Sequence, residues 1–418
     1  MRNLKGSTLV IPRLSLMMFF QYFVLGSWFS TLGLILTNHG LSSSIGIAYS
    51  IGGIAAIISP LFLGMITDRF FPSEKVLGAV NLLGGILLWF MPKQVYLQNS
   101  MAFLCLMFLY MLCFNPTYSL TNNISFSNVR DSNKWFPIIR VCGTVGFIIA
   151  GFFIGGLGFS GSPVAFYIGA IASILHGLYC FTLPNTPAQA KGKPFSFRDI
   201  LCLDALTLLK NRNFLVFIIC TVLLFTAHAA YMSFSSVYLS DMGVSNVASV
   251  LTIGQMSEIV AMLLIPLFLL RLGYKYMFLI GMFAWILRLS LLAISAINSN
   301  VTLAIIAVAL HGFCWDFFFI AGYMYTDQIA HEKIKSQAQG LIIMFTQGIG
   351  MFVGSFVMGN IYNQVVTEQG INALNQWKVF WSYPTIFAII ITIVFTLMFK
   401  EKINRKKCSV KNQSPHTA

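Results

Sequence analysis

Long apolar runs, broken by short polar segments, make up most of this chain and predict helices that cross a membrane. A transmembrane helix needs about 20 mostly apolar residues to span the hydrocarbon core of a bilayer. Twelve such windows can be drawn, at residues 14–37, 45–67, 76–92, 99–126, 136–158, 163–182, 213–239, 247–270, 274–296, 299–327, 336–362 and 376–399. The pattern therefore predicts an all-α integral membrane protein with 12 transmembrane helices.

The twelve windows divide into two groups of six. The string IAAIISPLFL at 54–63 in the second window resembles VAMLLIPLFL at 260–269 in the eighth, at an offset of 206 residues. A long polar, basic segment separates the sixth and seventh windows, and its part from Asp199 to Lys210 has helical periodicity. Two six-helix repeats are the arrangement of major facilitator transporters. We predict a major facilitator fold with an N-terminal half at 1–183, a linker at 184–211, a C-terminal half at 212–399 and a basic tail at 400–418.

Composition and charge support this class. The chain is 57% hydrophobic and 9% charged, with a mean hydropathy of +0.80, whereas soluble domains carry about 25% charged residues. The net charge of +14 is unevenly divided between the two sides of the membrane. With twelve spans, 22 of the 26 Lys and Arg residues fall on the side of the termini and two on the opposite side. This asymmetry predicts a bacterial inner-membrane protein with both termini in the cytoplasm and excludes nucleic acid as a partner.

The second span leads into a short loop whose charge suggests a gate. The segment Gly64 to Arg69 looks like a degenerate form of the loop motif of the major facilitator superfamily. Asp68 could accept hydrogen bonds at the start of a neighbouring helix, and Arg69 would accompany it. The alternative is that Asp68 and Arg69 form a solvated helix end.

Arg140 is a permanent cation inside the fifth predicted span. It costs several kcal/mol at membrane depth unless it faces a wet cavity or a partner. Thr144 and Phe147 follow at i+4 and i+7, on the same helix face. This face predicts one wall of a polar binding site, and the alternative is that Arg140 extends to the interface from the helix end.

Further polar residues lie inside the C-terminal spans: Gln255, Glu258, Arg288, His311 and Asp316. Glu258 lies near the middle of its span, as expected for a carboxylate that accepts a proton in a proton-coupled carrier. The alternatives are that Asp316 is the proton site and Glu258 accepts only substrate, or that the charges form structural ion pairs, with Arg288 against Asp316.

Blocks through the whole chain resemble the nucleoside:H+ symporter family. They are QYFVLGSW at 21–28, Pro116-Thr117 with Asn122, FPIIRVCGTVGF at 136–147, GQMSE at 254–258, AWILR at 284–288, Gly312 with DFF at 316–318, and AQG at 338–340. The family imports nucleosides with protons through a cavity between the halves. The resemblance implies that Arg140, Thr144, Phe147, Gln255 and Glu258 line this cavity, and that Asp316 serves coupling or architecture.

Two spans depart from the family pattern. Ala229 and Met232 stand where members that take common nucleosides carry amides in the seventh span, close to Tyr231. In the tenth span, His311 replaces a tyrosine and Trp315 a phenylalanine, and Trp315 could stack on a flat ligand. We add Tyr231, His311 and Trp315 to the predicted substrate site, and expect a divergent member whose specificity differs.

The leading hypothesis is a proton-coupled importer of nucleosides or nucleoside-like solutes, with the proton as coupling ion. An exporter or a sugar or polyol carrier on the same fold, and a receptor that has lost transport, are the alternatives. The eight cysteines lack ligand spacing, and no nucleophile–base pair or phosphate loop is evident. We therefore expect no enzyme activity, no metal and no cofactor, and a monomer in the bilayer.

Overall fold

The computed structural model describes residues 9–69, 71–187, 202–331 and 334–400, with the backbone alone for 60–69, 132–133 and 336. Helices account for nearly all of this part of the chain. In order they are α1 (Val10–Gly26, continued by Leu32–Asn38), α2 (Ile45–Arg69), α3 (Ser73–Tyr96), α4 (Ser100–Asn128), α5 (Ser132–Gly156), α6 (Val164–Cys180), α7 (Arg212–Asp241), α8 and α9 (together Val247–Ile297), α10 (Val301–Ala309 and His311–Ile329), α11 (Gln337–Val365) and α12 (Leu374–Met398).

By length and hydropathy, nine helices of the described residues can cross a membrane, and the two bent segments of α10 make a tenth. The helix Val164–Cys180 is apolar but has only 17 residues. The continuous helix Val247–Ile297 has 51 residues. It would be roughly 77 Å long if straight, far more than the ~30 Å hydrocarbon core.

Gly273 divides that long helix into two spans. It has φ 76° and ψ 177°, outside the helical region, a conformation that glycine adopts without a Cβ clash. With α8 before Gly273 and α9 after it, each of the twelve predicted windows coincides with an apolar helix. The all-α fold is confirmed, and the helices are consistent with twelve spans.

The two groups of helices meet toward one end of the bundle. We call the end at which odd-numbered helices begin the terminal face, and the other end the opposite face. Hydrogen bonds that join the halves lie toward the opposite face: Leu34 N to Ser236 Oγ (3.2 Å), Ala248 N to Ser160 Oγ (3.1 Å), Ser50 Oγ to Phe352 O (3.1 Å) and Asn363 Nδ2 to Ser43 O (3.2 Å). The halves are therefore closed against each other at that end.

Small residues allow this close approach. A Cβ on Gly46 of α2 would lie 2.5 Å from Cα of Gly359 in α11, and a Cβ on Gly33 of α1 would lie 2.3 Å from the Ser233 carbonyl oxygen in α7. Backbones that come this near leave no room for a side chain, so these crossings depend on glycine.

The predicted linker lies largely outside the described residues, because 188–201 are not described. Of the segment predicted to be helical from Asp199 to Lys210, the structure has a 3₁₀ helix at Ala205–Lys210. Ala205 is buried in a small apolar cluster with Ala330, Ala338 and Leu341 at the terminal face. This end of the linker therefore packs on α10 and α11. The tail at 401–418 is also outside the described residues.

Candidate functional site

A hydrogen-bonded network of three polar side chains links α8, α9 and α10 in the middle of the C-terminal half. Glu258 Oε1 is 2.9 Å from His311 Nε2, and His311 Nδ1 is 2.7 Å from Arg288 Nη1. Gln255 Nε2 approaches the same Glu258 oxygen at 3.5 Å. Arg288 and His311 are buried, whereas the Glu258 side chain keeps 21% of its surface exposed. Glu258 is therefore the member of this network that a solute can reach.

Close packing of α8 on α10 brings Glu258 beside His311. A Cβ on Gly312 would lie 2.3 Å from the Ser257 carbonyl oxygen, and a Cβ on Gly254 would lie 3.1 Å from His311 Cβ. The Gly312 amide donates to Ser257 Oγ (2.8 Å). α10 is bent by 42° just before His311, and this bend sets its direction toward α8. Discontinuous helices of this kind surround the substrate sites of many transporters.

Arg288 is held by rings as well as by His311. Its guanidinium carbon lies 3.2 Å from the centre of the Tyr231 ring and 5.3 Å from that of Trp285. Nε and Nη2 have no hydrogen-bond partner among the described residues. A cation at membrane depth is costly, so this Arg depends on the rings of Tyr231 and Trp285 and on the His311 nitrogen.

Aromatic rings of α7 and α10 form a wall beside the network of Glu258, His311 and Arg288. His311 stacks with Tyr231 (centroids 5.6 Å apart) and with Trp315 (6.4 Å). His228 lies 4.7 Å from Trp315 and 6.4 Å from His311. Trp315 is partly exposed and the two histidines are buried. The accessible ring of the wall is therefore Trp315, as its predicted stacking role requires.

Arg140 occupies the N-terminal half of the site. Its guanidinium carbon lies 4.2 Å from the centre of the Tyr22 ring, and the side chain is partly exposed. Thr144 is also partly exposed and Phe147 is buried at 9% exposure. The structure thus places these three residues on α5 beside α1, with Thr144 and Arg140 accessible and most of Phe147 in the packing.

The Tyr22 ring contacts both Arg140 and Tyr118. Its centre lies 4.2 Å from the Arg140 guanidinium carbon and 5.8 Å from the centre of the Tyr118 ring. Among the described residues, however, Arg140 and Glu258 form no direct ion pair, because Glu258 contacts His311 and Gln255 instead. The expected counter-charge relation between Arg140 and Glu258 is therefore not a contact in this structure.

Asp316 is fully buried, and neither carboxylate oxygen has a hydrogen-bond partner among the described residues. It begins a π-helical turn, Asp316–Ile320, a feature frequent at functional sites. The alternative of an ion pair between Asp316 and Arg288 is not what the structure shows. Arg288 is engaged by His311 and Tyr231 instead.

The remaining positions singled out from the sequence include Asp68, Arg69 and Ala229. The side chains of Asp68 and Arg69 are outside the described residues, so their predicted gating role stays a prediction. Ala229 is fully buried, and a Cβ on Gly354 of α11 would lie 2.9 Å from the Ala229 Cβ. Ala229 thus belongs to a helix contact. No cluster of possible metal ligands occurs among the described residues.

Two cavities lined by described residues differ in position. A cavity of about 560 Å³ opens at the terminal face of α9–α11, lined by Tyr274, Tyr323, Met324, Asp327, Gln328 and Gln339, and contains no predicted site residue. A second, of about 10 Å³, lies between the halves and is lined by Ser30, Tyr231, Met232, Ser235, Leu251 and Gln255. Met232, unlike Ala229, therefore faces the space beside Gln255.

Two residues of the site were missed from the sequence: Tyr22 and His228. Both lie inside apolar spans, Tyr22 in a stretch that carries the family resemblance and His228 in the seventh span, which departs from it. Gln21, beside Tyr22, donates to Thr117 of α4 and is fully buried. The signal that could have found Tyr22 is the pair of polar residues within the first span, the same signal that identified Arg140 in the fifth.

Comparisons with known proteins cover almost the whole chain. The model of the family described as "Nucleoside H+ symporter" matches residues 9–404. The putative nucleoside transporter YegT of Escherichia coli (strain K12) is 36% identical over 404 residues, which is 94% of each chain. The xanthosine permease of the same strain is 32% identical over 94% of this chain and 96% of its own. The crystal structure of the nucleoside transporter NupG superposes with a TM-score of 0.84 and 29% identity, covering 94% of this chain and 100% of the other.

Proposed function

Because the chain belongs to the nucleoside H+ symporter family, we propose that it imports nucleosides or nucleoside-like solutes together with protons. Alternating access carries this out, with the two halves closing in turn at each face around a central site. The closed opposite face and the polar residues that remain accessible at the centre support the proposal.

The single observation that carries it is the arrangement at Glu258. Gln255 and His311 both contact Oε1, whereas Oε2 has no hydrogen-bond partner among the described residues. A partly exposed carboxylate with one free oxygen can accept a ribose hydroxyl or a proton. Because the ribose hydroxyl and the proton would bind the same carboxylate, substrate binding and protonation of Glu258 would be linked.

The remaining accessible groups complete a site for a nucleoside. Arg140 and Thr144 offer donors from the N-terminal half, and Trp315 offers a ring face from the C-terminal half. A ribose ring needs hydrogen bonds and a base needs a flat apolar contact. We place the ribose near Glu258, Gln255 and Arg140, and the base against Trp315.

The protein is a multi-pass membrane protein, and we place it in the bacterial cytoplasmic membrane with both termini inside, as a monomer. The excess of Lys and Arg on the terminal face supports this orientation. The terminal face is then cytoplasmic, and the closed opposite face is extracellular or periplasmic.

Uptake of labelled purine and pyrimidine nucleosides into proteoliposomes tests the function. We expect accumulation that requires an inward proton gradient, and loss of accumulation in Glu258→Gln with protein incorporation unchanged. Cys105→Ser is the control, because Cys105 is exposed and lies near the start of α4, toward the opposite face. Failure to accumulate any nucleoside under an imposed gradient would refute the function. Gradient-driven accumulation by Glu258→Gln would move the coupling role to Asp316.

A further inference from the structure

His311 bridges an acid and a guanidinium, and the chemistry of these partners determines where its proton lies. Arg288 Nη1 is 2.7 Å from Nδ1, and Glu258 Oε1 is 2.9 Å from Nε2. A guanidinium has only donors, and it stays protonated in proteins. Nδ1 therefore accepts from Arg288, which leaves the one proton of the neutral ring on Nε2, directed at Glu258.

We propose that Arg288 is a positioning residue: it holds His311 in the neutral form protonated on Nε2, so that His311 donates to Glu258 and does not take up the transported proton. The consequence for transport rests on the proposed function, but the protonation state of His311 does not. Arg288 and His311 together would then confine the transported proton to Glu258.

The geometry excludes the other forms of the ring while Arg288 stays in place. A doubly protonated ring, or the neutral form with the proton on Nδ1, would turn an N–H toward the N–H of Arg288, with no acceptor between them. A proton that reaches Glu258 must therefore bind Oε2, since Oε1 faces the Nε2–H. The Glu258–His311 bond then changes from charge-assisted to neutral and weakens.

The groups that face His311 leave Glu258 and Arg288 as its hydrogen-bond partners among the described residues. From α7 come His228 and Tyr231, from α8 Glu258, from α9 Arg288, and from α10 itself the uncharged ring of Trp315. His228 and Tyr231 meet His311 through their ring faces, so they supply no competing acceptor for Nε2–H.

Nitrogen-15 NMR of the full-length protein in nanodiscs, labelled at histidine, tests the assignment. His311 is identified by the signals that vanish in His311→Asn. We expect an unprotonated Nδ1 and a protonated Nε2, unchanged between about pH 8 and about pH 6, where an ordinary histidine titrates. A proton on Nδ1 in the wild-type protein at any pH in this range would overturn the proposal.

Variants of Arg288 separate positioning from a merely structural role. Arg288→Met removes the donor but keeps an apolar side chain against Tyr231, and should let His311 titrate in this range. Arg288→Lys retains a cationic donor and should restore the wild-type spectrum. An Arg288→Met spectrum identical to wild type, or no restoration by Lys, would refute the role of Arg288. If Arg288→Met does not fold, the wild-type spectrum decides alone.

Transport measurements distinguish this proposal from the function on which it rests. The pH profile of nucleoside uptake in Arg288→Met should gain a titration step that the double variant with His311→Asn lacks. A wild-type spectrum as expected, without uptake of any nucleoside, refutes the function and leaves the assignment intact. Proton-driven uptake together with a proton on Nδ1 refutes the assignment and leaves the function intact.

Discussion

At the scale of single residues, the ring of Tyr22 is the contact that holds Arg140 in the site. The guanidinium lies 4.2 Å from the ring centre, and such contacts contribute about 0.5–2 kcal/mol. Tyr22→Leu should therefore raise the Kd for a nucleoside roughly 2- to 30-fold, because Arg140 loses its orientation. Binding to purified protein, measured by calorimetry or a scintillation assay, gives this number.

Tyr22→Phe is the matched control, since it keeps the ring and removes only the hydroxyl. We expect a Kd within about twofold of wild type. An equal loss in Tyr22→Phe and Tyr22→Leu would show that the hydroxyl matters and that the ring contact does not.

Asp316 provides a second test at this scale, because the structure gives it no ionic partner. Asp316→Asn should leave the melting temperature in detergent within about 2 °C of wild type, since it removes no salt bridge and changes little volume. If Asp316 paired with Arg288, the same change would leave a buried arginine alone and cost about 3–5 kcal/mol. A fall of many degrees would therefore contradict the contacts described here.

The sequence identified the polar residues of the site but not their partners. Arg140, Glu258, Arg288, His311 and Asp316 stood out because charge inside an apolar span is costly. Which of them touch depends on how α8, α9 and α10 cross, and close approaches at glycines decide those crossings. The contact of Arg288 with His311, in place of Asp316, could not be predicted from positions along single helices.

At the scale of helices, the crossing of α2 and α11 controls closure of the opposite face. A Cβ on Gly46 would lie 2.5 Å from the Gly359 Cα, and overpacking of this kind costs about 1–3 kcal/mol. Gly46→Val should favour the state open at the opposite face roughly 5- to 150-fold. Electron–electron resonance between spin labels at the exposed Leu157 and Ile371, one in each half, measures the shift as a longer distance.

Gly156→Val controls for the substitution itself, because a Cβ there meets no atom within 4 Å. Its distance distribution should match that of the labelled parent. A distribution for Gly46→Val that also matches the parent would show that the α2–α11 crossing does not hold this face closed.

Helix positions followed from the sequence more fully than helix shapes. Apolar length set each span to within a few residues, since the bilayer requires it. The bend before His311 and the π-helical turn at Asp316 had no such signal. Neither is marked by a proline, and both lie where α10 packs against the network of Glu258, His311 and Arg288.

At the scale of the molecule, the predicted family, the transporter class and the all-α major facilitator fold are confirmed by the family match and the likeness to NupG. Specificity is less accessible, because it depends on a few replacements in one common scaffold. Ala229 illustrates this: it stands where the family pattern has an amide, yet it lies in a contact with α11. The predicted boundaries of the halves and linker stay predictions.

Orientation in the membrane is the prediction that belongs to the whole chain. In the topology predicted from the sequence, 22 of the 26 Lys and Arg residues fall on the side of the termini and two on the opposite side. Loops rich in Lys and Arg stay in the cytoplasm. Green fluorescent protein fused after residue 418 should therefore fluoresce, and alkaline phosphatase fused there should be inactive. Phosphatase fused after Leu97, in the loop between α3 and α4, should be active. Active phosphatase at the C-terminus would reverse the orientation, and the closed face would then be the cytoplasmic one.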